Sequence, residues 1–329
     1  MEQVQKEPLV LSEIAGLWNE YMSEMASIQL LKHFLAHVDD VDIKATLEYA
    51  LEISKSHISE KTRILGKENI PLPKAFNDDD VDIYAPRLFS DSYYLFYLNN
   101  AASFGMEAYT VILRYISRSD VIEHFSKCMD DSKNLFNTVV SIQAAKGLLT
   151  KVPRVDVEKE PVFPNNYLVF KGMLIDNPRP LFAREVVNVF SGSLIDDLLK
   201  VTLTAFSQIA KSQEVRDYML KGKHLFENHF KGFVSILTKE RLPVSSSNDS
   251  FITVSKETPF SDKLLMYSIQ ELCYYVMIVD TNSVTYSLRS DFITHFIRYG
   301  THIGKFIMDG IKIMIDNGWY EQPPQVIKF

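Results

Sequence analysis

Residues 118–125 read Arg-Ser-Asp-Val-Ile-Glu-His-Phe, and residues 289–296 read Arg-Ser-Asp-Phe-Ile-Thr-His-Phe. Six of these eight positions are identical, at a spacing of 171 residues. The same spacing carries Phe89-Ser90-Asp91 onto Phe260-Ser261-Asp262. Two matches in one register, at about half the length of a 329-residue chain, point to two copies of one domain. An offset of 172 then aligns the beginnings of the copies. It places Glu13-Ile14 on Glu185-Val186, Leu17-Trp18 on Val189-Phe190, Phe34 on Phe206 and His57 on His229.

Within each copy the apolar spacing is that of long amphipathic helices. Ile14, Leu17, Trp18, Tyr21, Met25, Ile28, Leu31, Phe34 and Leu35 step by threes and fours, which predicts one helix from a Ser12 cap to about Val38. A second helix is expected over Ile43–Leu65 with Gly66 ending it, a third from Ser90 to about Ser117, and a fourth from Ser119 to Ala145 before Gly147. Lys67 to Leu88 carries Pro71, Pro73 and Pro86 together with an acidic run read as solvated loop. About 20 extended residues reach over ~60 Å, further than a 25-residue helix of ~38 Å. Such a link can therefore start the third helix at the far end of a bundle, the one-crossover topology of ferritin-like folds. The expected organisation is all-α: a four-helix bundle over 1–148, a Pro-rich packed linker over 149–180, and a second bundle over 181–329 with its own long link at Glu240–Pro259.

The composition excludes several function classes. With 46% hydrophobic and 23% charged residues the chain is globular. A net charge of -7 argues against phosphate-driven nucleic-acid binding. Cys128 and Cys273 fall on Tyr299 and Ala102 across the repeat, so no disulfide framework is expected and a reducing cytoplasm fits. The polar stretch Met1–Pro8 lacks the apolar core of a secretion signal, and no apolar run reaches the ~18 residues of a membrane span. Gly-rich phosphate loops, Gly-x-Ser-x-Gly elbows and Cys-x-x-Cys pairs do not occur.

Arg179-Pro180-Leu181, Phe260-Ser261-Asp262-Lys263-Leu264, the paired Arg-Ser-Asp segments and the closing Gly318-Trp319-Tyr320-Glu321-Gln322-Pro323-Pro324 resemble domain-of-unknown-function family 3231. That family comprises tandem ferritin-like proteins from Bacillus and related spore formers. The resemblance covers nearly the whole chain. It implies the ferritin-like fold, with a fold-level kinship to spore coat F proteins, and no assigned activity.

A ferritin-like di-iron centre takes one Glu from each of two helices and a Glu-x-x-His from each of the other two. Hard carboxylates bridge the ions and imidazole completes the coordination. Here the second and fourth helices of each copy carry matched histidines: His57 with His229, and His124 with His295. Three residues before them stand Ser54, Phe226, Val121 and Phe292, so the motif's carboxylates are missing. Substitutes exist in the first copy at Glu20 or Glu24, Glu60 and Glu107; in the second, Gly192, Gly232 and Ile278 replace Glu20, Glu60 and Glu107, while Asp196 matches Glu24. The candidate metal residues are therefore His57, His124, Glu20, Glu60 and Glu107, with His229 and His295 in the second copy. Iron, zinc or manganese are the candidate ions, and no cofactor is firmly implied. The competing reading is that each buried His packs and hydrogen-bonds across its bundle. His33 and His37, four apart on one helix, fall on Ala205 and Ile209 and read as a helix end.

The functional expectation is a non-enzymatic structural or interaction protein, sporulation-associated, with a protein partner or self-association. It binds no nucleic acid and is cytoplasmic or spore-associated. The alternative is a metal-binding bundle with oxidase or peroxide-handling chemistry in the first copy. A third reading is a small apolar ligand held between helices.

Overall fold

The repeated helical spacing is realised as eight α-helices in a computed structural model, which describes residues 7–156, 159–161, 163, 170 and 179–326. They are α1 (Leu11–His37), α2 (Val41–Lys67), α3 (Asp91–Leu113), α4 (Ser119–Ala145), α5 (Ala183–Ile209), α6 (Gln213–Lys239), α7 (Asp262–Tyr286) and α8 (Ser290–Asp316). The chain is all-α, two tandem bundles of four helices, each with its long link between the second and third helix. No described helix is long and apolar enough to cross a membrane. Of the described residues, one compact unit takes those within Met1–Leu149, Thr253–Tyr267 and Ile315–Phe329; the other takes those within Thr150–Ile252 and Ser268–Met314. The beginning of α7 thus belongs to the first unit. Much of the linker expected to pack, including Val162, Tyr167, Leu168 and Val169, lies outside the described residues.

In the first unit the stepped apolar face of α1 is buried. Phe34 stacks on Tyr94 at 4.5 Å and meets Tyr97 edge-on at 5.3 Å. A core cluster joins Leu17, Leu65, Val121, Phe125 and Cys128 across α1, α2 and α4. In the second unit a cluster includes Val189, Leu237, Phe292, Phe296 and Tyr299. Those are the same five positions one repeat later, each side chain in the two cores contributing on the order of 2 kcal/mol by burial.

The helix ends differ in detail from the spacing argument. Helix α1 begins one residue before Ser12, whose hydroxyl donates to Tyr115 O at 2.5 Å and caps nothing. Asp40 caps α2 by accepting the N–H groups of Asp42 (3.0 Å) and Ile43 (3.2 Å), so the acidic turn starts the helix instead of interrupting it. Gly66 stays inside α2, and the positive φ after that helix falls on Asn69. Gly147 and Gly318 do carry the positive φ just past α4 and α8. The hydroxyl of Ser90 makes no capping bond to α3, whereas Ser261 caps α7 through Leu264 N at 3.1 Å.

The first link is also less solvated than its acidic run suggests. Phe76, Leu88 and Phe89 are buried, and Asp80 is bonded to Ser261 Oγ at 2.6 Å. Within this unit Asp82 N donates to Pro259 O (2.7 Å) and Thr253 N to Leu88 O (3.0 Å). Both donor and acceptor positions of these two bonds are 171 residues apart, so the repeat extends to the links themselves.

Candidate functional site

Each half carries two polar constellations, one where α1 or α5 meets the beginning of the fourth helix and one at the bundle centre. The first is built on Glu13, fully buried in the first turn of α1. Its carboxylate accepts the N–H groups of Val10 (2.9 Å), Ser117 (2.9 Å) and Arg118 (2.8 Å). Burial alone would raise this carboxyl, but the three N–H donors outweigh it and hold it below its usual value. Arg118, buried in turn, donates to Asp120 (2.8 Å), to Glu68 and to Glu7 O (3.3 Å). One repeat later Glu185 accepts from Phe182 (2.9 Å), Leu288 (3.0 Å) and Arg289 (3.2 Å). Arg289 donates to Asp291 (3.1 Å), Glu240 (2.7 Å) and Arg179 O (3.0 Å). Every bond of the first clamp has its counterpart in the second. The Arg-Ser-Asp segment is repeated because it closes this clamp.

The centres have diverged. In the first unit Glu24, His57, Tyr109 and Asp131 come together from α1, α2, α3 and α4. His57 Nδ1 lies 2.7 Å from Glu24 Oε1 and Nε2 lies 3.0 Å from Asp131 Oδ2. Tyr109 donates to Glu24 at 3.5 Å. A carboxylate therefore faces each nitrogen of the ring. Lys61, one turn after His57, is fully buried; its Nζ stands 3.9 Å from Glu24 Oε1 and donates to Glu20 O at 3.3 Å. Burial would raise the Glu24 carboxyl, but the Lys61 charge and the His57 bond prevail and hold it at about 2. His124 lies 6.1 Å from His57 between ring centroids, its Nε2 3.6 Å from Cys128 Sγ. Burial, then the Lys61 and His57 charges, lower His124 to about 3, and burial pushes the Cys128 thiol up to about 12.

The other residues singled out from the sequence are placed differently. Glu20 is half-buried beside Tyr109, whose hydroxyl is raised by burial and then by the charges of Glu20 and Glu24. Glu60 pairs with Arg63 on the surface side of α2. Glu107 is half-buried with Oε2 unpartnered, its carboxyl raised by burial. His33 is buried, within 3.3 Å of Ala85 O and 4.5 Å from the His37 ring, not at an exposed helix end.

In the second unit the matched positions hold Asp196, His229, Asp280 and His302, and Phe233 stands where Lys61 was. The His229 ring does not hydrogen-bond across the bundle: it stacks on Tyr299 at 3.6 Å, and neither ring nitrogen has a partner. Asp196 Oδ2 and His295 Nε2 are also unpartnered. Burial, then the charges of Asp280 and Asp197, raise the Asp196 carboxyl well above its usual range; burial raises Asp280 to about 7. Burial, then the neighbouring His302, His295 and Arg298, lower His229 to about 3. Among the described residues, no group of three or more His, Cys, Asp and Glu side chains is placed to hold a metal ion.

Comparison with known proteins places this architecture. A family model described as Protein of unknown function (DUF3231) matches residues 2–160 and again 170–328. The chain belongs to that family. The two matched regions lie in tandem. No curated protein matches. Among solved structures, one described as a "putative spore coat protein" from Bacillus halodurans C-125 is similar at 21% identity with a TM-score of 0.41. It covers 46% of this chain and 98% of its own.

Proposed function

We propose that this protein is a non-enzymatic structural or interaction protein whose two halves serve as scaffold. The observation that carries this reading is the contrast between the two constellations. The Glu–Arg clamps are repeated bond for bond, while the centres, where shared chemistry would have to be kept, differ at three of four positions. At the first centre, both nitrogens of His57 are already engaged by carboxylates, so a ligand would have to displace one of these bonds. The partner is a protein or a second copy of the chain, and the spore is the setting to test.

Native mass spectrometry of tag-free protein, with His57→Ala, His124→Ala, His229→Ala and His295→Ala alongside, tests the proposal. The expected result is a mass equal to the chain or its oligomer, with the variants changing only stability. A retained metal or small molecule that a variant loses would overturn it.

The metal-binding alternative has an observation of its own, and it favours the second half over the first. There His229, Asp196 and His295 keep unpartnered polar atoms. An ion would have to turn these side chains to gather them. Retention of iron, zinc or manganese that is lost in His229→Ala but kept in His57→Ala is the signature of that reading.

A further inference from the structure

Metal centres in carboxylate-rich four-helix bundles neutralise side chains from all four helices with a bound cation. The first unit presents the same convergence, from Glu24, His57, Tyr109 and Asp131, with a lysine inside it. Lys61 is fully buried, and an ammonium is rarely so placed without a partner. Its Nζ faces Glu24 and the main-chain oxygen of Glu20.

The second unit is an internal comparison. Lys61 becomes Phe233 and Glu20 becomes Gly192. A Cβ on Gly192 would stand 2.8 Å from the Phe233 ring, so the ring fills space that only a glycine leaves. With the ammonium replaced by a ring, Asp196 at the Glu24 position has an unpartnered oxygen. The carboxylate that faces Lys61 is bonded to His57, whereas its counterpart without the lysine makes no bond to His229.

We propose that Lys61 is the resident cation of the first bundle, occupying the place of a metal ion and pairing with the Glu24 carboxylate that holds His57. The proposal predicts a metal-free centre whose stability depends on the pairing of Lys61 with Glu24.

The test is a cycle of Lys61→Met, Glu24→Gln and the double variant in the full chain, read by thermal midpoint. Removing one partner of a buried ion pair is strongly destabilising, while removing both leaves no uncompensated charge. Lys61→Met is expected to lower the midpoint by roughly 10 °C. Adding Glu24→Gln is expected to recover at least half of that loss. If Lys61→Met does not fold, the double variant must. A midpoint unchanged in Lys61→Met, additive losses in the double variant, or failure of both to fold overturns the proposal. So does wild-type protein that takes up one equivalent of Zn²⁺, Mn²⁺ or Fe²⁺ and loses it in Glu24→Gln.

Discussion

Replacing Glu13 by alanine removes the acceptor on which the first clamp is built. Three backbone N–H groups lose their partner: those of Val10, Ser117 and Arg118, at 2.9, 2.9 and 2.8 Å. Arg118 keeps its bonds to Asp120 and Glu68 but loses the anchor of its own main chain. Hydrogen bonds to a charged group contribute about 1.5–3 kcal/mol each, and an orphaned buried donor costs about 1–3 kcal/mol. Val10 is exposed, so water can replace one partner. The net loss is therefore about 3–5 kcal/mol, or roughly 10 °C in a domain of this size.

The folded carboxyl lies below the usual 4.5, so its stabilisation is present above that value and is lost as pH falls through the lowered one. The gap between wild type and Glu13→Ala should accordingly narrow in acid. Differential scanning calorimetry on the full chain at pH 7 and at about pH 3.5 reads both effects. Glu185→Ala, in the matching clamp, should lower stability by a similar amount. A midpoint within about 2 °C of wild type for Glu13→Ala, or a gap that widens in acid, would refute the reasoning.

Other substitutions separate crowded from open sites. A Cβ on Gly232 would stand 2.0 Å from the Tyr299 hydroxyl oxygen and 3.1 Å from His295 Cε1. Gly232→Ala should then cost about 1–3 kcal/mol by overpacking, read by urea denaturation. Gly66→Ala, with nothing within 4 Å and inside α2, should instead stabilise by up to ~1 kcal/mol in the same assay. Asp280, raised to about 7 from 3.8, imposes a penalty on the folded state that is absent below pH 3.8, grows toward pH 7 and then levels off. Melts of Asp280→Asn across pH should show a gain over wild type that appears only as pH rises through this window. The free Cys128 thiol, buried and raised to about 12, should resist alkylation at pH 8 until the protein is unfolded, as mass spectrometry will show.

The helices and the repeat were legible because both rest on local patterns. The three- and four-residue steps of α1 and the Arg-Ser-Asp segments need no tertiary knowledge. The clamp was half legible: matching Glu13 with Glu185 and Arg118 with Arg289 identifies its members, but only the fold brings residues over 100 apart into contact. Ser12 misled because its hydroxyl found Tyr115 O, a distant acceptor that competes with its own helix.

The centre was harder to read because attention to identical residues hides it. Asp131 and His302, and Tyr109 and Asp280, are matched positions of different chemistry, and no search for repeated histidines finds them. Lys61 reads in the sequence as one more charge on an amphipathic helix. Its position four residues after His57, on the same face, was the available signal. The pairing of Val81 with Phe260 is a single bridge between links and leaves no periodic trace.

The central claim is that a scaffold is repeated and that the first centre is closed by its own charges. Its most direct test is the thermal midpoint of tag-free full-length protein after exhaustive chelation, then with Fe²⁺, Zn²⁺ or Mn²⁺ added in turn, paired with elemental analysis. The account predicts a protein already metal-free, with an unchanged midpoint in every condition. About one equivalent of metal per chain, its removal lowering the midpoint and its uptake abolished by His57→Ala, would contradict it.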